Sequence, residues 1–241
     1  MGSQDCLFIR LDHFEGELSH GPEQAPHRCD ALGCEGTSHH NEVTANAPER
    51  LPLFLLNTVL FPGGRLPLRV FEARYMDMAR DCLKRKRPFG VCLIREGREV
   101  GAPASHEALG TLADITDCDM PQLGVLQLQT LGGQCFRVLE TSTNNQGLVS
   151  ASVEMVPANA ELPLPDEFSV CARVLRMIIA DHGEGVFAPP HRFDSAAWVG
   201  YRLSEVLPLA MQDKQQLLAM NDSVERLTRL RLYLEERGAS R

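Results

Sequence analysis

The chain has 241 residues, 44% of them hydrophobic and 23% charged, and a formal net charge of −8 at pH 7. This composition excludes a fully disordered chain, a collagen and a coiled-coil rod, and no stretch approaches the roughly 18 consecutive apolar residues of a membrane-spanning helix. Because the charge is acidic and no apolar span exists, we expect neither a nucleic-acid partner nor a membrane partner.

The acidity is concentrated in residues 1–48, which have a net charge of −6 and leave −2 for residues 49–241. The first segment also contains five of the eight histidines and three of the eight cysteines, but little periodic apolar pattern. We predict a disordered extension there. Zinc binds such side chains, yet the spacing of Cys29, Cys34 and His39 matches no zinc module that we can name. We therefore predict no metal site, and zinc binding by these three residues stays open.

The beginning of the chain lacks the pattern of a secretory signal. Residues 1–5 include no basic residue, and no apolar core of about 7–15 residues follows them. We therefore expect a cytoplasmic protein whose eight scattered cysteines are free thiols. Several of them fall in apolar runs, as Cys92 does, and should be buried.

The first predicted elements are two strands. Residues 51–55 place leucines on one face of a strand, and Pro52 indicates either an edge strand or a strand start. A turn is predicted at residues 61–64, and a second strand over residues 66–70.

The first helix is predicted from Glu72 to about Arg87. Apolar residues recur there at intervals of three and four, which gives one stripe from Phe71 to Leu83. Basic residues occupy its last turn, where cations suit the helix dipole, and Pro88 stops it.

Several short strands follow the helix. The predicted strands cover residues 89–95, 110–115, 125–131, 135–139 and 148–156, with a turn at residues 132–133. Many short strands with turn signals and a single helix favour a small closed or partly closed β-barrel.

The last third of the chain is predicted to be helical. Residues 157–165 contain three prolines and are typical of a linker. Helices are then predicted to begin near Asp166, Ser195, Gln212 and Asp222. Asp166 is predicted to cap the first of them, and Asp222 with Glu225 forms a capping-box-like arrangement at the last.

The sequence lacks the common catalytic motifs. None of the three lysines precedes Ser or Thr, so a phosphate loop of the Gly-x-x-x-x-Gly-Lys-[Ser/Thr] type is excluded. No Gly-x-Ser-x-Gly elbow, His-Glu-x-x-His pair or Cys-x-x-Cys pair occurs. We predict no catalytic residue, no cofactor and no enzymatic activity.

One long pattern is specific enough to suggest a family. Residues 51–63, LPLFLLNTVLFPG, followed by residues 66–75, LPLRVFEARY, resemble the opening of the Lon protease N-terminal (substrate-binding) domain. Weaker matches continue in order at residues 89–91, 97–101, 110–115, 214–218 and 226–227. The resemblance covers about residues 50–236 and implies a stand-alone member lacking the ATPase and peptidase domains.

The resemblance implies a fold that agrees with the predicted elements. That fold is of the α+β class: a PUA-like β pseudobarrel with one embedded helix, followed by a C-terminal helical bundle. The corresponding division is an extension over residues 1–48, the pseudobarrel over residues 49–157, and a linker with the helical subdomain over residues 158–241.

The resemblance also implies a function. In Lon, this region engages unfolded or damaged protein substrates and supports hexamer assembly. We therefore expect a non-catalytic protein-binding module that recognises unfolded or exposed polypeptide segments or acts as an adaptor. The candidate peptide-binding residues are Asn57, Phe61, Pro62, Glu72, Arg74 and Tyr75. For each of them, a purely structural role in shaping the turn and packing the helix is the alternative.

Two other functions stay open. A small-molecule or peptide-ligand receptor could use the groove between barrel and bundle. RNA binding occurs on PUA-like barrels, but the nearly neutral body and the absence of a basic stripe with interleaved aromatic residues oppose it.

Overall fold

The computed structural model of the chain describes residues 50–101 and 104–237. The predicted disorder of residues 1–48 and the possible zinc ligands Cys29, Cys34 and His39 lie outside the described residues. The described strands are β1 (Leu51–Leu56), β2 (Arg65–Val70), β3 (Phe89–Glu96), β4 (Ser105–Gln122), β5 (Val125–Thr143) and β6 (Val149–Met155). The described α-helices are α1 (Ala73–Arg85), α2 (Ser169–His182), α3 (Ala196–Val206), α4 (Met211–Ala219) and α5 (Ser223–Glu236).

The six strands form one sheet that closes on itself. Their order is β2-β5-β4-β3-β1-β6, and β6 also pairs with β5, so five strands make a ring with β2 added at one side. The β1–β3 pair is parallel and the other pairs are antiparallel. The predicted pseudobarrel with one embedded helix and a C-terminal helical part is confirmed.

Strand β5 contradicts the predicted turn at residues 132–133. It runs through both glycines without reversing, and Gly132 exchanges backbone hydrogen bonds with the β1–β2 turn. The N–H of Gly63 donates to the Gly132 carbonyl over 2.7 Å, and the N–H of Gly132 donates to the Gly64 carbonyl over 2.8 Å. A side chain at Gly132 would collide with the carbonyl oxygen of Phe61. These glycines permit close backbone approach instead of making a turn.

The predicted position of Pro52 is half right. Strand β1 lies between β3 and β6, so Pro52 is not on an edge strand. It is the second residue of β1, opposite Ser150, and pairing with β3 begins only at Leu53. The proline therefore sits at a strand start, where its missing N–H leaves the β3 ladder intact.

Helix α1 forms where predicted, but its apolar stripe is shorter. Tyr75 and Cys82 are buried, whereas Phe71 is 51% exposed and Leu83 is 39% exposed. Phe71 precedes the helix and so does not share its periodic face. The helix ends at Arg85, because the next residue adopts the left-handed conformation.

The two predicted helix caps differ in outcome. Asp166 does not cap α2; it begins a 3-10 turn, and Phe168 occupies the N-cap position of the helix. Asp222 caps α5 as predicted, because its Oδ1 accepts from the backbone N–H of Val224 over 2.8 Å.

Barrel and helices share a hydrophobic core. Phe61 and Leu109 from the barrel side pack in one cluster with Phe168, Leu203 and Leu227 from the helical side. The described thiols are free, as predicted, and four of them are buried: Cys82, Cys92, Cys135 and Cys171. Since the core spans both parts, the space between barrel and helices has fixed walls.

Candidate functional site

A cavity of about 500 Å³ lies where the barrel meets the helices. Its floor is the middle of β5, around Cys135, and one wall is the segment that follows β6. The other walls come from α3, through Trp198 and Tyr201, and from the end of α4 at Leu218. We call this space the junction cavity. Its volume is in the range of small-ligand sites.

The floor and the first wall are held together by two hydrogen bonds. The backbone N–H of Val156 donates to the Cys135 carbonyl over 2.9 Å. The Gln134 side-chain amide donates to the Val156 carbonyl, also over 2.9 Å. These bonds hold the start of the linker beside β5, so that the residues up to Asn159 form a wall of the junction cavity.

Asn159 joins three parts of the wall. Its Oδ1 accepts hydrogen bonds from the Tyr201 hydroxyl and from Nη2 of Arg226, the latter over 3.2 Å. Its amide nitrogen donates to the Asn221 carbonyl. The Arg226 guanidinium also lies over the Tyr201 ring, 4.1 Å from its centroid. These contacts therefore fix the side-chain conformations of Asn159, Tyr201 and Arg226 relative to one another.

Arg226 is a fully buried cation behind this wall. Its Nε donates to the Leu217 carbonyl over 2.9 Å and its Nη2 donates to the Met220 carbonyl. Among the described residues no carboxylate forms an ion pair with Arg226; carbonyl oxygens accept its hydrogen bonds, and the Asp222 carboxylate acts on it from beyond ion-pair distance. Burial lowers the pKa of this guanidinium.

The rim of the junction cavity carries two further arginines. Arg192 forms a two-bond pair with Glu161, at 3.1 Å and 2.7 Å, so its charge is compensated. Arg137, an exposed residue of β5, also lines the cavity. Within the described part of the chain it makes no ion pair. The net charge of the rim is therefore positive.

A second buried arginine joins α3 to the β1–β2 turn. Arg202 is 1% exposed and donates hydrogen bonds to the carbonyls of Pro62 and Gly63. Its Nη2 lies 2.8 Å from Oε1 of Glu205. Burial raises the pKa of Glu205 to about 7, although the positive charges of Arg202 and Lys214 act to lower it. This cluster fixes the turn that lines one side of the junction cavity.

The six predicted peptide-binding residues divide between two places. Pro62 lines the junction cavity, and Phe61 lies beneath it, fully buried and 5.9 Å from the Tyr201 ring. The other four residues, Asn57, Glu72, Arg74 and Tyr75, belong to a separate cluster around Arg74.

The Arg74 cluster ties loops to one another. Arg74 donates to the Gly147 carbonyl over 3.0 Å, and its Nη2 lies 3.0 Å from a Glu72 carboxylate oxygen. The backbone N–H of Asn57 donates to the Glu99 carboxylate over 2.6 Å. These contacts give the cluster a structural role, because they hold the loops in place. Its peptide-binding role stays a prediction.

Tyr75 belongs to the same cluster and is buried. Its ring stacks on Phe54 with centroids 4.0 Å apart, and the Arg74 guanidinium lies 4.6 Å from its centroid. The packing accounts for these two aromatic residues without a ligand.

Sequence reasoning missed most of the junction cavity. Arg137, Asn159 and Arg226 lie in separate elements, and no spacing links them. Two weaker signals existed: the single tryptophan, Trp198, lies one helical turn before Tyr201, and Arg226 is in the family pattern at the helical end.

Comparison with known proteins agrees with the fold and assigns a family. Residues 50–236 match the family profile of the ATP-dependent protease La (LON) substrate-binding domain. The chain belongs to this family. The crystal structure of a Lon N-terminal domain protein from Xanthomonas campestris is 37% identical, with a TM-score of 0.64, over 77% of this chain and 98% of that one.

More distant relatives share parts of the chain or the fold alone. Protein cereblon of Gallus gallus is 29% identical over 137 residues, and that of Xenopus tropicalis is 31% identical over 113 residues. The matches span 56% and 46% of this chain but only 28% and 24% of those proteins. The N-terminal domain of the Mycobacterium avium complex Lon protease, 18% identical with a TM-score of 0.54, covers 76% of this chain and 96% of its own, and shows the fold.

Neither a metal-binding cluster nor a membrane-spanning helix is found among the described residues. No group of three or more His, Cys, Asp or Glu side chains among them is placed to hold a metal ion. In the same part of the chain, every helix is too short or too polar to cross a lipid bilayer.

Proposed function

We propose that this protein is a non-catalytic polypeptide-binding module, serving as a substrate-recognition domain or an adaptor, and that the junction cavity is its binding site. The observation that carries the proposal is a cavity of about 500 Å³ in a member of a substrate-binding family. Its walls come from both halves of the fold, which share one core. The site is thus preorganised to accept a ligand without rebuilding the fold.

The lining suits apolar segments of a polypeptide. Leu109, Val156, Ala197, Trp198 and Leu218 supply apolar surface beside the polar residues of the rim. Burying apolar side chains on this surface provides the affinity, at about 25 cal/mol for each Å² removed from water. The polar groups at the rim then set orientation.

A small-molecule receptor is the second candidate, because the cavity volume alone suits a small ligand as well as a peptide segment. The two functions differ in what competes for the site. A polypeptide-binding module prefers unfolded chains over the same chains when folded. A small-ligand receptor has no such preference for unfolded over folded chains.

Trp198 provides a direct test, since it is the single tryptophan and lines the cavity. We would titrate the full chain with a permanently unfolded, tryptophan-free polypeptide, follow Trp198 emission, and use a folded tryptophan-free protein as control. Saturable binding of the unfolded chain alone is expected.

A matched pair of variants locates the binding. Ala158 is exposed and lines the cavity, whereas Ala160 is exposed in the same segment but does not line it. Ala158→Phe should weaken binding about tenfold and Ala160→Phe should leave it unchanged. Equal affinities of the two variants would show that the polypeptide binds outside the junction cavity. The absence of binding at tens of micromolar protein would contradict the proposal.

A further inference from the structure

We infer that the junction cavity takes the carboxyl-terminal end of a polypeptide, with the free carboxylate at Arg137 and the last apolar side chains against Trp198 and Leu218. This inference rests on the proposed function and specifies its ligand. The positive charge at the rim binds the carboxylate, and the apolar lining binds the last side chains.

The charge of the cavity selects an anion. Arg226 is buried behind the wall and has no carboxylate partner among the residues described, and Arg137 at the rim makes no ion pair there either. The acidic residue at the rim, Glu161, is already held by two bonds from Arg192. Glu154 stands opposite Arg137 in the β5–β6 register but neither lines the cavity nor forms an ion pair with it. The charged residues that line the cavity, Arg137, Arg192 and Glu161, leave one net positive charge to meet an incoming carboxylate.

Arg137 is the group that can reach the ligand. The Arg226 guanidinium donates from Nε and Nη2 to Asn159 and two backbone carbonyls, while its buried Nη1 has no hydrogen-bond partner among the described residues. Because Arg226 does not line the cavity, it acts there only through its field. The Arg137 guanidinium retains its full set of donors in a planar fork that matches the two oxygens of a carboxylate. It lies on the floor strand, on the same cavity as the apolar walls.

The apolar lining selects what carries the carboxylate. Trp198 from α3 and Leu218 from α4 face the space above β5. A chain end with apolar last residues satisfies both the lining and the rim, because its carboxylate and its last side chain are both attached to the final Cα. A small apolar carboxylic acid carries the same two groups. The test must therefore distinguish a polypeptide end from a free small acid.

The test compares three probes by fluorescence anisotropy on the full chain. The first is the fluorescein-labelled peptide Gly-Ser-Gly-Ala-Leu-Leu with a free carboxyl terminus, and the second is the same peptide amidated. The third is N-acetyl-leucine, added as a competitor. We expect the free acid to bind about tenfold more tightly than the amide, and N-acetyl-leucine to compete at least 100-fold more weakly than unlabelled peptide.

Two arginine variants identify the residue. Arg137→Gln should lower the affinity for the free acid to that for the amide. Arg69→Gln is the control, since Arg69 is also an exposed arginine on a barrel strand but does not line the cavity. It should leave both affinities unchanged.

The alternative outcomes separate the inference from the proposed function. Equal binding of acid and amide, still sensitive to Ala158→Phe, overturns the inference and leaves polypeptide binding supported. Competition by N-acetyl-leucine at the peptide's own concentration overturns it in favour of a small-carboxylate receptor. If neither peptide nor the unfolded polypeptide binds, both fail.

Discussion

The Arg202 guanidinium donates a 2.6 Å hydrogen bond to the carbonyl oxygen of Pro62. This contact joins the third helix to the turn between the first two strands, across 140 positions of sequence. It holds the barrel and the helices at the spacing that the junction cavity requires.

Replacement of Arg202 should therefore destabilise the whole fold. Arg202→Met removes two hydrogen bonds to the turn and leaves Glu205 without its ion pair, so we expect a loss of about 3 kcal/mol in the free energy of unfolding. Urea denaturation followed by circular dichroism measures it. Arg229→Met, at an exposed arginine 3.7 Å from Glu225, should change stability by less than about 0.5 kcal/mol. Similar losses in both variants would contradict the assignment.

The two glycines of β5 should respond differently to a methyl group. Gly132→Ala places a carbon against the Phe61 carbonyl and should cost about 2–3 kcal/mol of stability. Gly133→Ala, whose nearest neighbour is Leu112 Cβ at 3.4 Å, should cost less than about 1 kcal/mol. Thermal unfolding of the two variants provides the comparison. A larger loss for Gly133→Ala would show that the backbone approach at Gly132 is not tight.

Glu205 should make stability depend on pH. Its pKa is about 7 in the folded protein, against 4.5 for an unperturbed glutamate, so the folded state binds the proton more tightly than the unfolded chain does. The stability that this group contributes is fully present below about pH 4.5 and is lost as the pH rises to about 7.

Denaturant unfolding at several pH values measures this contribution. The difference in unfolding free energy between Glu205→Gln and the parent protein should increase in favour of the variant from pH 5 to pH 7. The exposed Glu154 is the control position, where Glu154→Gln should show no such trend. A pH-independent difference at Glu205 would contradict the raised pKa.

The described cysteines should differ in reactivity. Partial burial and the charges of Asp117 and Asp119 raise the pKa of the partly exposed Cys118, whereas burial raises the pKa of Cys92 to about 12 and that of Cys171 to about 11. Alkylation with iodoacetamide at pH 8, mapped by peptide mass spectrometry, should label Cys118 first and Cys92 only after unfolding. Equal labelling rates for Cys92 and Cys118 in the native protein would show that the barrel opens readily.

Several elements could be predicted from sequence because their signals are local. Leu126 and Leu128 are buried and Gln127 and Gln129 are exposed, as their alternation along one strand predicts. The Asp222 cap depends only on residues within one helical turn. Together with the long family pattern, such signals were enough for the embedded helix, the fold class and the approximate places of the strands, but the predicted strands at 125–131 and 135–139 are one strand, β5, and the one at 110–115 is the middle of the longer β4.

Non-local contacts could not be predicted in the same way. Two adjacent glycines indicate a turn in sequence, but at Gly132 they permit a strand to approach Phe61. Pro52 likewise lies in an interior strand. The proline is tolerated there because pairing between β1 and β3 begins one residue later. In both cases the deciding neighbour lies far away along the chain.

The class of fold, the family and the approximate positions of most helices and strands could be inferred from the amino-acid sequence. The place of a candidate ligand site depends on tertiary structure, because Arg137, Trp198 and Tyr201 come to line one cavity, with Arg226 behind Tyr201, only after the ring of strands closes and the helices pack on it. The bond from Arg226 to Asn159 spans 67 positions, and its energy depends on burial that no local pattern encodes.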